Sequence, residues 1–454
     1  MTLVTENHDE ITNGRLRRAQ FAWAMYDFAN TIFSMNIVTF FFSPWIIITL
    51  GVEDIWFSLA YSASMIVVAF TMPGLGRRAD QTAGKIRGLR SYTLMCVFFT
   101  VLLSLVAILH LSLTVTAALA LLCFACANYY YEGGITFYNA LLSDVSNPDN
   151  VGKVSGIGVG IGYIGAIAGL WLVAPFVDGS LSSSMSGREY AFLPTAVFFL
   201  IFALPAFFWI KEREHTKPSS AAKESYFKRM SLTLKETRDY PGVLRFLISD
   251  FLVEDAIATT IVFMAVYAEA VVGFAEADKR ILFLSSTAFA FVGSFLFGYL
   301  ADRIRPKNAL IIALIGWVSV LAIGVGVSSR STLYVVGGLV GMFLGAVWTT
   351  ARPLLNSLVP AEKLGQFYGL YSLSGRSAAT VGPLIWGLIA LIGKHDMPLG
   401  RAALSVLSSL GVSITENLTA TIHYRLALAS LLVAMLAGLM GFVKVPNRRR
   451  YSKE

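Results

Sequence analysis

The sequence predicts an all-α polytopic membrane protein, with 12 transmembrane helices in two six-helix, pseudo-symmetric bundles. Three observations carry this reading. Of 454 residues, 56% are hydrophobic and 14% charged, with a mean hydropathy of +0.66; soluble domains average about 45–50% apolar and about 25% charged residues. Apolar stretches of bilayer-spanning length, about 20 residues, recur along the whole chain. Lys and Arg are partitioned: of 36, 26 lie in segments on the N-terminal side of the layout, 6 in the opposite loops and 4 within or beside spans. Such a bias marks the cytoplasmic side, so both termini are expected in the cytoplasm. A soluble enzyme, a disordered scaffold and a secreted disulfide module are excluded by the composition. The formal charge of +8 is assigned to membrane orientation, and no nucleic-acid partner is expected.

Residues 1–19 form a polar cytoplasmic segment ending in Arg15, Arg17 and Arg18. The apolar run at 20–49 exceeds the roughly 7–15 residues of a signal core, so it stays as the first span. Spans at 56–75, 91–110, 115–142, 154–178 and 190–210 complete a first bundle, 20–210. Residues 211–242 interleave eight Lys and Arg with acids and read as a cytoplasmic linker on the anionic leaflet. Spans at 243–272, 281–300, 308–327, 332–359, 366–393 and 421–443 form the second bundle, 243–443, and 444–454 is a basic cytoplasmic tail. The alternating segments of a β-barrel are missing from the pattern. Cys123 and Cys126 lie inside an apolar run and read as buried small hydrophobes.

The halves repeat each other. Gly76 to Asp80 closes helix 2 and Gly298 to Asp302 closes helix 8, 222 positions later. At an offset of 213, Gly152, Gly156, Gly162 and Gly169 match Gly365, Gly369, Gly375 and Gly382. A duplicated six-helix unit implies a cavity near the bilayer midplane. Gly158 and Gly162, Gly165 and Gly169, and Gly337, Gly341 and Gly345 recur at the four-residue spacing that lets helix backbones approach.

The loop Gly76–Arg87, with Asp80 and Lys85, and the loop Gly298–Lys307, with Asp302 and Arg303, both resemble the G-x-x-x-D-(R)-x-x-G-R/K gating loop of the major facilitator superfamily. The basic residues are expected at lipid phosphates and the Asp at the positive end of a nearby helix. The second copy has Arg305 where the pattern has glycine. Further strings narrow the resemblance: Trp23 to Thr31, Phe137 to Asp144, Val154 to Gly158, Gly162 to Gly165, Arg352-Pro353, Phe367 to Ser372, Ser374 to Arg376 and Gly382-Pro383. Together they resemble the vacuole-effluxer-like branch of that superfamily, whose eukaryotic members are autophagy-related vacuolar amino-acid effluxers. Helix 7 departs from the branch pattern at Val253 to Ala256.

The resemblance implies that helices 1, 4, 7 and 10 line the cavity, and the intramembrane charges concentrate there. Ionisable side chains in a span are costly and mark pathways. Asp27, Asn30, Glu132, Asn139, Asp255, Arg352 and Arg376 are the candidate substrate-binding residues. The arginines would take a carboxylate and a carboxylate would take an ammonium, which suits an amphoteric solute such as an amino acid or small peptide. Asp27, Glu132, Asp250, Glu254 and Asp255 are the candidate proton carriers. Each has a plainer reading: Asp27 and Asp250 solvated at an interface, Arg352 reaching out to it, and Asp255 with Arg376 as a structural ion pair.

The chain is therefore expected to be a monomeric secondary transporter working by alternating access, as symporter or antiporter, with a small-molecule substrate, the bilayer and protons as partners. It carries no HExxH, P-loop or GxSxG string, and its five His do not cluster. No enzyme activity, metal or cofactor is expected. Export of lipid-like or drug-like amphiphiles, supported by Tyr129, Tyr130, Tyr131 and Trp348, and a non-transporting receptor are the rival readings. The short loops point to a bacterial cytoplasmic (inner) membrane, with a vacuolar membrane as the second location.

Overall fold

The computed structural model describes residues 2–82, 84–109, 111–146, 151–180, 186–212, 234–360 and 363–448. Among these, 12 helices are long and apolar enough to cross a membrane. We number them α1 (Thr2–Phe33, continuing to Thr49), α2 (Asp54–Thr82), α3 (Lys85–Ile108), α4 (Leu113–Val145), α5 (Val151–Val177), α6 (Phe192–Trp209), α7 (Val243–Val272), α8 (Glu276–Ile304), α9 (Pro306–Gly326), α10 (Arg330–Leu358), α11 (Leu364–Ile392) and α12 (Glu416–Val443). The only strand-like pairing among the described residues is one isolated bridge, Asp178 to Ser186. Phe70, Phe208, Phe295 and Val433 are about two-thirds exposed, which a bilayer tolerates and water would not.

The first span is irregular at its far end. It passes from α-helix into a π-helix over Ser34–Phe41, one α-helical turn at Phe42–Pro44 and a second π-helix over Trp45–Thr49. Pro44 has no N–H to give the i−4 carbonyl, and a wider turn accommodates the lost bond.

The chain divides into two compact units. The first comprises Met1–Trp45 and Ile66–Lys223; the second comprises Ile46–Met65 and Glu224–Glu454. In the first, α1 packs on α5 and α6, and α3 on α4. In the second, α8 packs on α10, and α7 on α11 and α12. The small-residue stripes make these contacts. A Cβ on Gly165 would collide with the Phe28 carbonyl oxygen, and one on Gly169 would stand 3.2 Å from the Ile32 Cα. On α10, Cβ atoms on Gly341 and Gly345 would collide with the carbonyls of Ser286 and Ala290 on α8.

The second unit contains the start of α2. Asp54 there is buried and accepts hydrogen bonds from Trp386 Nε1 at 3.4 Å and Tyr424 Oη at 3.3 Å. Ser62 Oγ donates to the Thr380 carbonyl at 2.8 Å, and Lys394 pairs with Glu53. Sequence reading left Glu53 and Asp54 in a loop, because an acid beside an apolar run looks like solvated punctuation.

Gly76 to Thr82 end α2 and Gly298 to Ile304 end α8, so both repeated segments close their helices as expected, and the loops begin beyond them. One expectation about these segments is corrected. Lys85 does not sit among lipid phosphates. It is the first residue of α3, 2% exposed, and its Nζ is 2.9 Å from the Asp144 carboxylate and 3.2 Å from the Ala140 carbonyl. Its stem is enclosed by the α3–α4 interface, so the ammonium is paired internally. A short helix at Pro398–Ser409, entered through Pro398 at its first turn, occupies a stretch read as loop.

Candidate functional site

Each unit carries a polar cluster on its first helix. In the first unit, Asp27 lies midway along α1, half-buried. Asn30 Nδ2 donates to Asp27 Oδ1 at 2.9 Å, and Thr31 Oγ1 donates to the Asp27 carbonyl at 2.6 Å. The Tyr138 hydroxyl of α4 faces the Asp27 carboxylate without the geometry of a formed hydrogen bond, so we read the two as apposed. Tyr138 is held in place by Trp23, which stacks on it at 4.4 Å and donates Nε1 to its carbonyl at 3.0 Å. Gly162 of α5 leaves the Asp27 side room: a Cβ there would sit 3.0 Å from Oδ2. Tyr131 is within electrostatic reach of both Asp27 and Glu132. Glu132 is half-buried and Asn139 exposed, two turns apart on α4 and therefore on one face.

In the second unit, Asp250 and Glu254 stand one helical turn apart on α7. Asp250 is 1% exposed, and neither carboxylate oxygen has a hydrogen-bond partner. Glu254 accepts from Trp348 Nε1 of α10 at 3.3 Å. Arg352, one turn beyond Trp348 and exposed, is within electrostatic reach of Glu254. Tyr371 of α11 is within reach of Asp250, Glu254 and Arg352, and Tyr368 donates to Asn356 Oδ1 at 2.7 Å. An open cleft of about 650 Å³ begins beside Asn356, lined also by Asp302, Arg305 and Pro353.

Asp255 takes a different direction. Its Oδ1 accepts the backbone N–H of Gly382 on α11 at 2.6 Å, which ties α7 to α11 just before Pro383. A Cβ on Gly382 would collide with Thr259 Oγ1 and stand 2.9 Å from the Asp255 carboxylate. The side chains of Arg376 and Asp80 lie outside the described residues, as do the surroundings of Gly76. Asp302 and Arg303 are exposed, with Arg303 over the Tyr299 ring at 4.6 Å. No group of three or more His, Cys, Asp or Glu is placed to hold a metal ion among the described residues. Cys123 and Cys126 are free thiols.

The structure thus brings Glu254 and Arg352 together, adds Tyr371 and Tyr138 as neighbours, puts Trp348, which the sequence had linked to amphiphile export, beside Glu254, and sets Asp255 apart. The glycine contacts also relate the two clusters. Gly169 meets Ile32 and Asn36, while Gly382 meets Asp255 and Thr259, so α1 and α7 correspond at an offset of 223. That offset aligns Asp27-Phe28 with Asp250-Phe251, and Thr31 with Glu254.

Comparison with known proteins places this chain among secondary transporters of the major facilitator type. Solved transporters share the fold. A bacterial homologue of the human lysosomal transporter Spinster, in an inward-facing and occupied conformation, superposes with a TM-score of 0.66 at 15% identity, covering 97% of this chain and 98% of that one. The nucleoside transporter NupG superposes with a TM-score of 0.65 at 14% identity, covering 94% of this chain and 100% of that one. Residues 55–415 match the family model of vacuole effluxer Atg22-like proteins, and the chain belongs to that family. The uncharacterised MFS-type transporter YxiO of Bacillus subtilis is 24% identical over 414 residues, 88% of this chain and 94% of that protein. Autophagy-related protein 22 of Yarrowia lipolytica is 26% identical over 290 residues, 57% of this chain and 49% of that protein.

Proposed function

We propose that this transporter moves a small amphoteric solute, an amino acid or short peptide, by alternating access, with protons as the coupling ion. The observation that carries the reading is the Arg352–Glu254 neighbourhood, where a guanidinium and a carboxylate share one face of the second unit. Arg352 would take the solute's carboxylate by paired charge-assisted hydrogen bonds. Glu254 is the group that would meet its ammonium, and Trp348 supplies an aromatic wall. Asp27, Asn30, Glu132 and Asn139 are the first unit's own candidate polar contacts for a solute. The family description as vacuole effluxers supports a small organic cargo. The Lys and Arg bias supports cytoplasmic termini, and the bacterial relative matched over 94% of its length supports a bacterial cytoplasmic-membrane location. We take the monomer as the working unit.

The test is a thermal-shift screen of purified protein against amino acids, dipeptides, sugars, nucleosides and lysolipids, followed by counterflow in proteoliposomes. A ligand at 100 times its Kd stabilises by about 2.7 kcal/mol. Zwitterionic amino acids or dipeptides are expected to raise Tm and to exchange, and the matching amines and acids singly are not. Stabilisation by lysolipids alone would transfer the assignment to amphiphile export.

A further inference from the structure

Asp250 is a carboxylate inside the membrane with nothing to answer it. It is 1% exposed and both oxygens lack a hydrogen-bond partner. One turn along the same face, Glu254 lies within electrostatic reach. An ionised carboxylate buried without donors costs several kcal/mol, and a second anion one turn away adds like-charge repulsion.

Among the described side chains, the charged and titratable groups around the pair are few. From α10 comes Arg352, which bears on Glu254, and from α11 come Tyr368 and Tyr371. On α7, Asp255 is engaged by Gly382, and Arg245 donates to the Lys444 carbonyl. The α12 face opposite Ser249 consists of Gly438 and Gly441. With one guanidinium and two carboxyls, the arrangement of lowest charge is a Glu254 carboxylate beside Arg352 and a neutral Asp250.

We propose that Asp250 and Glu254 form a carboxyl dyad that holds one proton, resident on Asp250, and that this is the proton-coupling site of the transporter. This deepens, and rests on, the transport reading above. When a solute carboxylate occupies Arg352, Glu254 exchanges the guanidinium for the solute's ammonium as its counter-charge, and Asp250 stays neutral beside it. The dyad then carries its proton with the solute, and releases it once water reaches Asp250 on the other side. No bond other than the O–H of the carboxyl is made or broken.

The first test needs no solute. Infrared difference titration of the full chain in nanodiscs reads the C=O stretch of protonated carboxyls. A band present at neutral pH is expected to vanish in Asp250→Asn. In Glu254→Gln it should remain but titrate at lower pH, because the neighbouring anion is gone. A neutral-pH band that survives Asp250→Asn, or a titration unmoved by Glu254→Gln, overturns the dyad. The second test uses a mixture of L-amino acids in proteoliposomes containing a pH-sensitive dye. Asp250→Asn is expected to reduce solute-dependent proton movement to the level of protein-free liposomes while retaining solute counterflow. Proton movement intact in that variant also overturns the dyad. If no amino acid exchanges in the wild-type chain, the solute assignment fails on its own, and the infrared result still decides the proton site.

Discussion

Asp27 in the first unit and Asp250 in the second occupy matching turns of α1 and α7, yet their surroundings have diverged. Asp27 receives the Asn30 amide and faces Tyr138; Asp250 receives nothing. At the matching positions Thr31 becomes Glu254, Asn139 becomes Arg352, and Ser143 becomes Asn356. The backbone scaffold has been kept while the chemistry has separated. In the first unit neutral hydrogen-bonding groups surround Asp27, and Tyr131 stands within reach of both it and Glu132. In the second, two acids and an arginine share a face with aromatic rings. A duplicated fold allows this because glycine contacts fix the helix pairs in both copies and leave the polar faces free to vary.

The largest expected break in that comparison lies away from the polar faces. Lys85 is fully enclosed with Asp144, whereas its counterpart Lys307 is half-exposed and donates to the Val443 carbonyl at 2.7 Å, and the position matching Asp144 is Ser357, which has no charge to offer. Breaking a buried pair costs about 3–5 kcal/mol, because the remaining charge loses its partner. Lys85→Met should therefore lower the Tm of purified protein sharply, and Lys85→Met with Asp144→Leu should recover much of the loss. Lys307→Met should change Tm little. Equal losses in both units would mean that the internal pair has no special place in the first.

The solute-binding face comes next. Charge-assisted hydrogen bonds contribute about 1.5–3 kcal/mol, equivalent to tens-fold in affinity at 1.4 kcal/mol per decade. Arg352→Ala is expected to weaken counterflow of an amino acid by that order. Arg352→Lys should recover only part, since an ammonium cannot reproduce the planar fork. Asn139→Ala, at the matching position, should lose only a few-fold. If Asn139→Ala costs as much as Arg352→Ala, the division of labour between the units is wrong.

A smaller effect has opposite signs in the two units. Gly162 sits against Asp27, while its counterpart Gly375 has nothing within 4 Å of an added Cβ. Alanine is favoured over glycine in a helix by about 1 kcal/mol. Gly375→Ala should therefore raise Tm, whereas Gly162→Ala should lose that gain by crowding the Asp27 carboxylate, and its solute exchange should fall as well. A rise in both variants would show that Asp27 has slack around it.

Most of the fold was legible because a span is a sum over some 20 residues. The stretch read as 243–272 is α7, Val243–Val272, and the three glycine stripes make the close contacts their spacing predicts. The sites were legible only in part, because partners across helices leave no mark on local sequence. Nothing around Trp348 announces Glu254, and nothing around Gly382 announces Asp255. The correspondence between Asp27 and Asp250 was hidden by loop lengths, which shift the offset from 213 in α4 and α5 to 223 in α1. Asp54 was missed because a buried acid at a helix start reads like an ordinary N-terminal acid. Lys85 was misread because its neighbours in sequence are basic, although its neighbours in space are Asp144 and the Ala140 carbonyl.

The finest test concerns the two repeat-related helix ends. The first unit places Gly84 before α3, with φ −116°. The second places Arg305 before α9, with φ 77° and ψ 147°, and among the described residues it is the only non-glycine residue with positive φ. That backbone region is reserved almost wholly for glycine, because a Cβ crowds the neighbouring carbonyl. The glycine missing from the second loop pattern is thus missing where the backbone needs it. Arg305 has a compensating bond, Nη1 to the Asn447 carbonyl at 3.0 Å, but it is exposed and therefore weak. Arg305→Gly should raise Tm by the equivalent of a few tenths to about 1 kcal/mol, the relief of strain less the entropy of a glycine in the unfolded chain. Arg305→Ala keeps the Cβ and loses the guanidinium, so it should lower Tm. Equal Tm values for the glycine and alanine variants would mean that the side chain, through Asn447, fixes this turn and that the backbone there carries no strain.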